Sequence, residues 1–211
     1  MEKGKLIVFE GLECCSKTTQ IKKLKEYLES KNKKVIVVRE PGQTIAGQQI
    51  REILIQTDYE LDPVTQMLLF NACRSDIYKN VVKPELELGT YIIQDRCWWS
   101  TIGYQVFGGG LDFEKTQEVV NFAINNIMPD LVFYMHIPFD KYPETFKERS
   151  KQRGEKLSSF EEKDMDYFSK VYKGYDYLSN KYSDITVKIE SLKSIEDIFE
   201  DIKKIIDLRV N

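Results

Sequence analysis

An α/β fold, built on a parallel five-stranded sheet with helices on both faces, is the architecture this sequence predicts, and three observations carry it. Short, nearly continuous apolar runs end abruptly at glycine, proline or charged residues. Stretches of helical periodicity separate them, which implies parallel strands joined by crossover helices. The chemically suggestive residues fall just past the carboxyl ends of the runs, where ligands of such sheets bind. At 211 residues the chain can bury a substantial core, and a single domain over 1–211 is expected.

The elements run in order along the chain. "KLIVFE" (Lys5 to Glu10) ends at a glycine and reads as a strand buried on both faces. Ile21, Leu24 and Leu28 then recur among lysines and glutamates, an amphipathic helix running to about Ser30. "KVIVVRE" from Lys34 is the second strand. A long helical stretch starts at about Asp62, where Asp62-Pro63 is a good entry, with Pro84 and Gly89 marking its end or a kink. "TYIIQDR" is a third strand ending at Asp95, "DLVFYMHIP" a fourth ending before Pro138, and "ITVKIE" from Ile185 a fifth. A last helix carries Ile195, Ile198, Phe199, Ile202, Ile205 and Ile206 on one side. The glycine cluster "FGGG" (Phe107 to Gly110) is expected to be a loop.

Charge and composition narrow the function. With 31% charged residues and a formal net charge of −3, the chain lacks the basic excess of general nucleic-acid binders, so any anion must be held locally. No apolar run approaches the roughly 20 residues needed to span a bilayer. The apolar core of "MEKGKLIVFEG" is too short for a signal peptide, so a cytoplasmic protein without membrane partners is expected. The four cysteines, at 14, 15, 73 and 97, match no metal-finger spacing and are read as reduced thiols.

The first strand runs into "GLECCSKTT" (Gly11 to Thr19), close to the pattern Gly, four residues, Gly-Lys-Ser/Thr of phosphate-binding loops. Exposed amides and a helix amino terminus make an anion cradle there, with Lys17 reaching the β and γ phosphates and Thr18 offering a hydroxyl to Mg²⁺. Ser16 stands where glycine is usual. It keeps the amide but adds bulk, and it is strained if the turn needs positive φ. The alternative is an ordinary strand-to-helix turn. Cys14 and Cys15 fit as small fillers of that turn, with a redox switch near Lys17 as the less favoured reading.

Other constellations carry their own alternatives. Asp95 can accept hydrogen bonds from Mg²⁺-bound water and Arg96 can bind phosphate, or the pair can simply cap the next helix. Phe70 and Arg74 lie four apart in "LLFNACRSD", an aromatic plane and a fork for a base, or else a core phenylalanine and a surface arginine. Arg149 and Arg153 in "ERSKQRGEK", with Lys147, Lys151 and Lys156, form either a solvated helix face or a cationic cover for a transferring phosphoryl group. His136, the only histidine, is expected to be structural.

Taken together these residues resemble the thymidylate kinase family, which phosphorylates dTMP to dTDP. "FEGLECCSKTTQ" resembles its FEG-x-DGSGKTTQ. "REPGQT", with Gly47, Ile50 and Arg51 after it, resembles REPGGT with its later glycine and Ile-Arg, and "LLFNACR" resembles LLF-x-A-x-R. "DRCWWSTIGYQ" and "PDLVFYMHIP" resemble DRY-x-x-S-x-x-AYQ and PDL-x-x-YLDVP, so the likeness runs in order from about Lys5 to Tyr175.

The resemblance implies a P-loop nucleoside monophosphate kinase fold with a mobile lid at about 149–160, Mg²⁺ and ATP as cofactor and donor, and a homodimer. Ser16, Lys17, Thr18 and Thr19 would bind ATP, with Thr18 and Asp95 at the metal. Glu13, Arg39, Arg51, Phe70, Arg74, Arg96, Thr101, Tyr104 and Gln105 would bind the acceptor. Within that set Arg39 would hold its phosphate, Phe70 would stack on thymine, and Tyr104 would disfavour a ribose hydroxyl. Lys17, Arg96, Glu13 and Arg149 or Arg153 would serve catalysis, the lid arginines replacing one absent from the loop.

The chain departs from the pattern where Glu13 replaces an aspartate, Cys14 and Ser16 replace glycines, Gln43 replaces a glycine, Cys97 replaces a tyrosine and Ser158-Ser159 replace Asp-Arg. These departures permit three readings: a working but slower kinase, a kinase with an altered pyrimidine acceptor, or a nucleotide-binding regulator that has lost catalysis.

Overall fold

A computed structural model describes residues 3–56, 61–154 and 163–210. Five strands, β1 (Leu6–Glu10), β2 (Val35–Arg39), β3 (Tyr91–Asp95), β4 (Leu131–His136) and β5 (Thr186–Glu190), form one parallel sheet in the order β2-β3-β1-β4-β5. Successive strand residues point to opposite faces, and all five residues of β1 are fully buried, so both faces of the sheet centre are covered. The expected architecture holds.

The register aligns the strand ends. Arg39 pairs with Asp95, Phe9 with Asp95, and Glu10 with Tyr134, so the loops after β1, β2 and β3 open onto one edge. Strand order reverses about β1, which makes that edge the crevice of the fold.

Helix α1 (Lys17–Ser30) buries Ile21, Leu24 and Leu28 as its spacing predicts, and α9 (Ile195–Arg209) buries Ile198, Ile202 and Ile206 completely. The two helices pack together, with the Tyr27 hydroxyl donating to Asp207 at 2.7 Å. Asp62 caps α3 (Pro63–Ile77), its side chain accepting from the amides of Val64 and Thr65, with Pro63 in the first turn. That stretch is not one helix. It widens into a π-helical turn at Tyr78–Val82 just before Pro84, whose ring nitrogen cannot donate to the ladder, and α4 (Lys83–Glu87) comes next.

Several helices carry no clear signal in the sequence: α2 (Ile45–Gln56), α5 (Trp98–Thr101), α6 (Phe113–Ile124), α7 (Tyr142–Arg153) and α8 (Met165–Lys181). A second π-helical segment, Ile102–Gly108, continues α5 and packs on α8. It absorbs Phe107 and Gly108, so only Gly109 and Gly110 of the glycine cluster form the expected loop. Gly103 explains the close approach: a Cβ there would come within 3.3 Å of Val171.

Candidate active site

The loop between β1 and α1 is held by unusual backbone. Gly11 sits at φ 137°, and an added Cβ would lie 2.4 Å from the Met135 carbonyl oxygen of β4. Cys14 (φ 58°) and Ser16 (φ 67°) both occupy left-handed backbone, so the turn does require positive φ where the chain carries side chains. The Lys17 ammonium is buried over the loop, donating to the carbonyls of Gly11 (3.0 Å) and Leu12 (2.7 Å), with Cys15 Sγ at 3.3 Å. Cys15 is itself buried and donates to the Leu12 carbonyl. Thr18 and Thr19 are exposed in the first turn of α1.

Arg96, also at positive φ, is the hub of the crevice. Its Nη1 donates to the Gly11 carbonyl (3.2 Å), Ser100 Oγ (3.1 Å) and the Tyr175 hydroxyl (3.2 Å), and its Nη2 donates to Glu13 Oε1 (3.0 Å). The Tyr104 hydroxyl donates to the same Glu13 oxygen. Burial and the Glu13 charge push the Tyr104 phenol well above its ordinary value, so it stays protonated and donates. Glu13 Oε2 is buried and accepts no hydrogen bond from the described residues.

Glu10 supports Arg96 from beneath. Its carboxylate accepts from the amides of Cys97 (2.7 Å) and Ser100 (3.1 Å), from Ser100 Oγ, and from the Tyr175 hydroxyl (2.9 Å). The helix after Asp95-Arg96 is capped by Cys97, whose sulfur accepts from the Trp99 amide, so the Asp-Arg pair does not act as the cap.

Across the crevice, Arg74 is fully buried rather than a surface residue, and Phe70 is half-buried beside it. Arg74 Nε donates to Glu40 Oε2 (2.8 Å), Nη1 to Asn71 Oδ1 (2.7 Å), and Nη2 to the Cys97 carbonyl (3.3 Å) and Thr101 Oγ1 (3.1 Å). Gln105 is oriented by a bond to Gln66. Arg39 is exposed with Nε 4.0 Å from Asp95, and Arg51 is anchored on the Pro41 carbonyl (3.0 Å). Burial, with Arg39 nearby, lowers the Arg51 pKa, though a guanidinium remains charged.

Arg149 closes the ring: Nη1 donates to the Cys14 carbonyl (2.8 Å) and Ser16 Oγ (3.2 Å), and Nη2 to the Ser191 carbonyl (3.0 Å). Lys147 and Lys151 of the same run point to solvent. The Arg153 side chain and residues 155–160 of the expected lid, with Lys156 and Ser158-Ser159, lie outside the described residues.

One cavity of about 540 Å³ is lined by every other expected site residue: Glu13, Ser16, Lys17, Thr18, Thr19, Arg39, Arg51, Phe70, Arg74, Asp95, Arg96, Thr101, Tyr104, Gln105 and Arg149. His136 is not among them. It bonds the Tyr172 hydroxyl at 2.8 Å, and burial lowers its pKa to about 4. Among the described residues no cluster of three or more metal-ligating side chains forms, and all four cysteines are free thiols. Sequence reasoning passed over Glu10, Glu40, Asn71, Ser100 and Tyr175. Glu10, Glu40, Asn71 and Ser100 lie inside the motifs quoted above, and an acid closing a buried apolar strand, in "LIVFE", was a further signal.

Comparison with known proteins agrees with this fold. A family model described as thymidylate kinase matches residues 9–202. Proteins named thymidylate kinase share 37% identity with the chain in Thermosipho africanus (95% of this chain, 96% of that one) and 34% in Chlorobaculum tepidum (96% of each). A crystal structure of thymidylate kinase from Ehrlichia chaffeensis superposes with a TM-score of 0.79 at 25% identity, covering 97% of this chain and 99% of that one.

Proposed function

The chain belongs to the thymidylate kinase family, and from that premise we propose how its residues divide the transfer of the γ-phosphoryl group of ATP to dTMP. The kinase reading is favoured over a regulator without catalysis, because the likeness extends over nearly the whole of each relative. The observation that carries the residue assignment is the single cavity in which the phosphate-loop lysine, the Arg96–Glu13 pair and the Phe70–Arg74 pair converge.

Such a transfer needs positioning and charge neutralisation more than covalent chemistry. Lys17, with the amides at the start of α1, Ser16, Thr18 and Thr19, holds the donor phosphates. Arg149 supplies a guanidinium to charge developing on the transferred group, and Arg153 joins it in the sequence-based assignment. Arg39 and Arg51 take the acceptor phosphate, while Arg96 lies between the two substrates. Phe70 offers a stacking plane, Arg74, Thr101 and Gln105 read the base, and Glu13 and Tyr104 contact the sugar.

The donor set suits magnesium. Thr18 and Asp95 offer hard oxygen atoms, and both line the cavity. Those two residues would hold the ion, which would supply charge neutralisation at the phosphates. A homodimer is supported by apolar side chains left exposed on packed helices: Ile53 on α2, Val64 and Leu68 on α3, and Phe122 on α6. Light scattering is expected to give twice the 24.8 kDa chain mass. A cytoplasmic setting is part of the same proposal. Among the described residues no helix is long and apolar enough to cross a membrane.

A coupled assay with Mg-ATP and a panel of nucleoside monophosphates tests the reading. Turnover with dTMP well above the other acceptors, and its loss in Lys17→Ala, is expected. Equal rates for wild type and Lys17→Ala would overturn it.

A further inference from the structure

That division of roles leaves the buried acid Glu40 without a part. Glu40 comes directly after β2, its amide bonded to the Asp95 carbonyl (3.1 Å), and its side chain is almost wholly removed from solvent. Its two oxygens are each engaged: Oε2 accepts from Arg74 Nε at 2.8 Å, and Oε1 accepts from Gln94 Nε2 at 2.7 Å. A buried carboxylate and a buried guanidinium are costly to hold unless paired in good geometry, so the pair fixes both partners.

Arginine carries five N–H groups. Glu40, Asn71, the Cys97 carbonyl and Thr101 engage four of them, and Asn71 is itself tied to the Met67 carbonyl (2.8 Å). The remaining donor lies on Nη1, and Arg74 lines the cavity. Turning the guanidinium would break the Glu40 contact together with those of Nη1 and Nη2, so the Glu40 bond helps fix the plane of the fork.

We propose that Glu40 is a positioning residue for the acceptor site, holding Arg74 so that its remaining N–H is presented to the acceptor base, and so setting acceptor affinity rather than the rate of transfer. The inference rests on the proposed assignment of Arg74 to the base.

Steady-state kinetics of the full chain, wild type against Glu40→Gln, test this. Exchanging an ionic for a neutral partner is expected to raise KM for dTMP roughly 10-fold, with kcat within about threefold and KM for ATP unchanged. An unchanged KM for dTMP, or a loss confined to kcat, would overturn the proposal. If Glu40→Gln does not fold, Glu40→Asp takes its place: the shorter carboxylate is expected to raise KM for dTMP with kcat and KM for ATP near wild type, and an unchanged KM for dTMP rejects the idea. Arg74→Ala separates the premise. If it leaves KM for dTMP unchanged, the assignment of Arg74 to the base has failed; if it raises KM while Glu40→Gln does not, only the role of Glu40 has.

Discussion

Arg149 donates to the hydroxyl of Ser16, the residue that fills a glycine-like position in the phosphate loop, at 3.2 Å. The same nitrogen bonds the carbonyl of Cys14, the loop's other left-handed residue with a side chain. The side chains that intrude into the loop therefore sit under the arginine that leans over it.

Ser16→Gly separates the two consequences of that arrangement. An L-residue in left-handed backbone costs about 1–2 kcal/mol, and glycine returns part of the gain through the freedom of the unfolded chain. A net stabilisation of about 0.5–1 kcal/mol is expected in urea melts. Removal of the Cβ is also expected to lower KM for ATP severalfold, while the Arg149 contact to Cys14 persists. Unchanged stability and unchanged ATP kinetics would refute the crowding and strain account.

Gly11→Ala should act in the opposite direction. Its Cβ would meet the Met135 carbonyl at 2.4 Å from a backbone angle that alanine rarely adopts. A loss of about 2–4 kcal/mol is expected, seen as a Tm lowered by roughly 5–15 °C for a chain of this size. A melt indistinguishable from wild type would show that the strand end relaxes freely.

Arg149→Lys keeps the charge and removes the fork. A lysine cannot bridge Cys14, Ser16 and Ser191 at once, so kcat is expected to fall about 10- to 100-fold with a smaller change in KM for dTMP. Wild-type kcat in the lysine variant would mean that charge alone suffices at this position.

Glu40 gives a pH signature in stability: burial pushes its carboxyl up, with Arg74 opposing and Glu10 adding to the rise. Its folded pKa of about 7 exceeds the ordinary 4.5, so its favourable contribution is complete below pH 4.5 and is lost as pH rises through 7. The shift corresponds to about 3 kcal/mol. In urea melts the stability of wild type minus that of Glu40→Gln should fall as pH rises from 4.5 through about 7 and then level off. A difference that rises with pH would mean the ion pair with Arg74 outweighs burial.

The sequence made the strands legible because strands buried on both faces leave little room for polar residues, as in Leu6–Glu10 and Leu131–His136. Helix α6 was harder to read, since Phe122 is exposed amid apolar neighbours and blurs the stripe. The π-helical segment at Ile102–Gly108 depends on α8 packing against Gly103 and Gly108, a tertiary cause with no local period. In the site, residues that face the cavity carried recognisable motifs. Glu10 and Glu40 lie inside two of those motifs, but their roles were not legible, because each matters only once three strand ends meet.

The Arg96–Glu13 contact has a further consequence for how the protein meets abundant cellular anions. Its guanidinium is no bare charge awaiting the first phosphate to drift by; an entrant must displace an internal carboxylate or share the arginine with it. Free orthophosphate has fewer contacts to offer in that exchange than a nucleotide, which brings a base, a sugar and a phosphate together. Selectivity thus begins with an occupied seat.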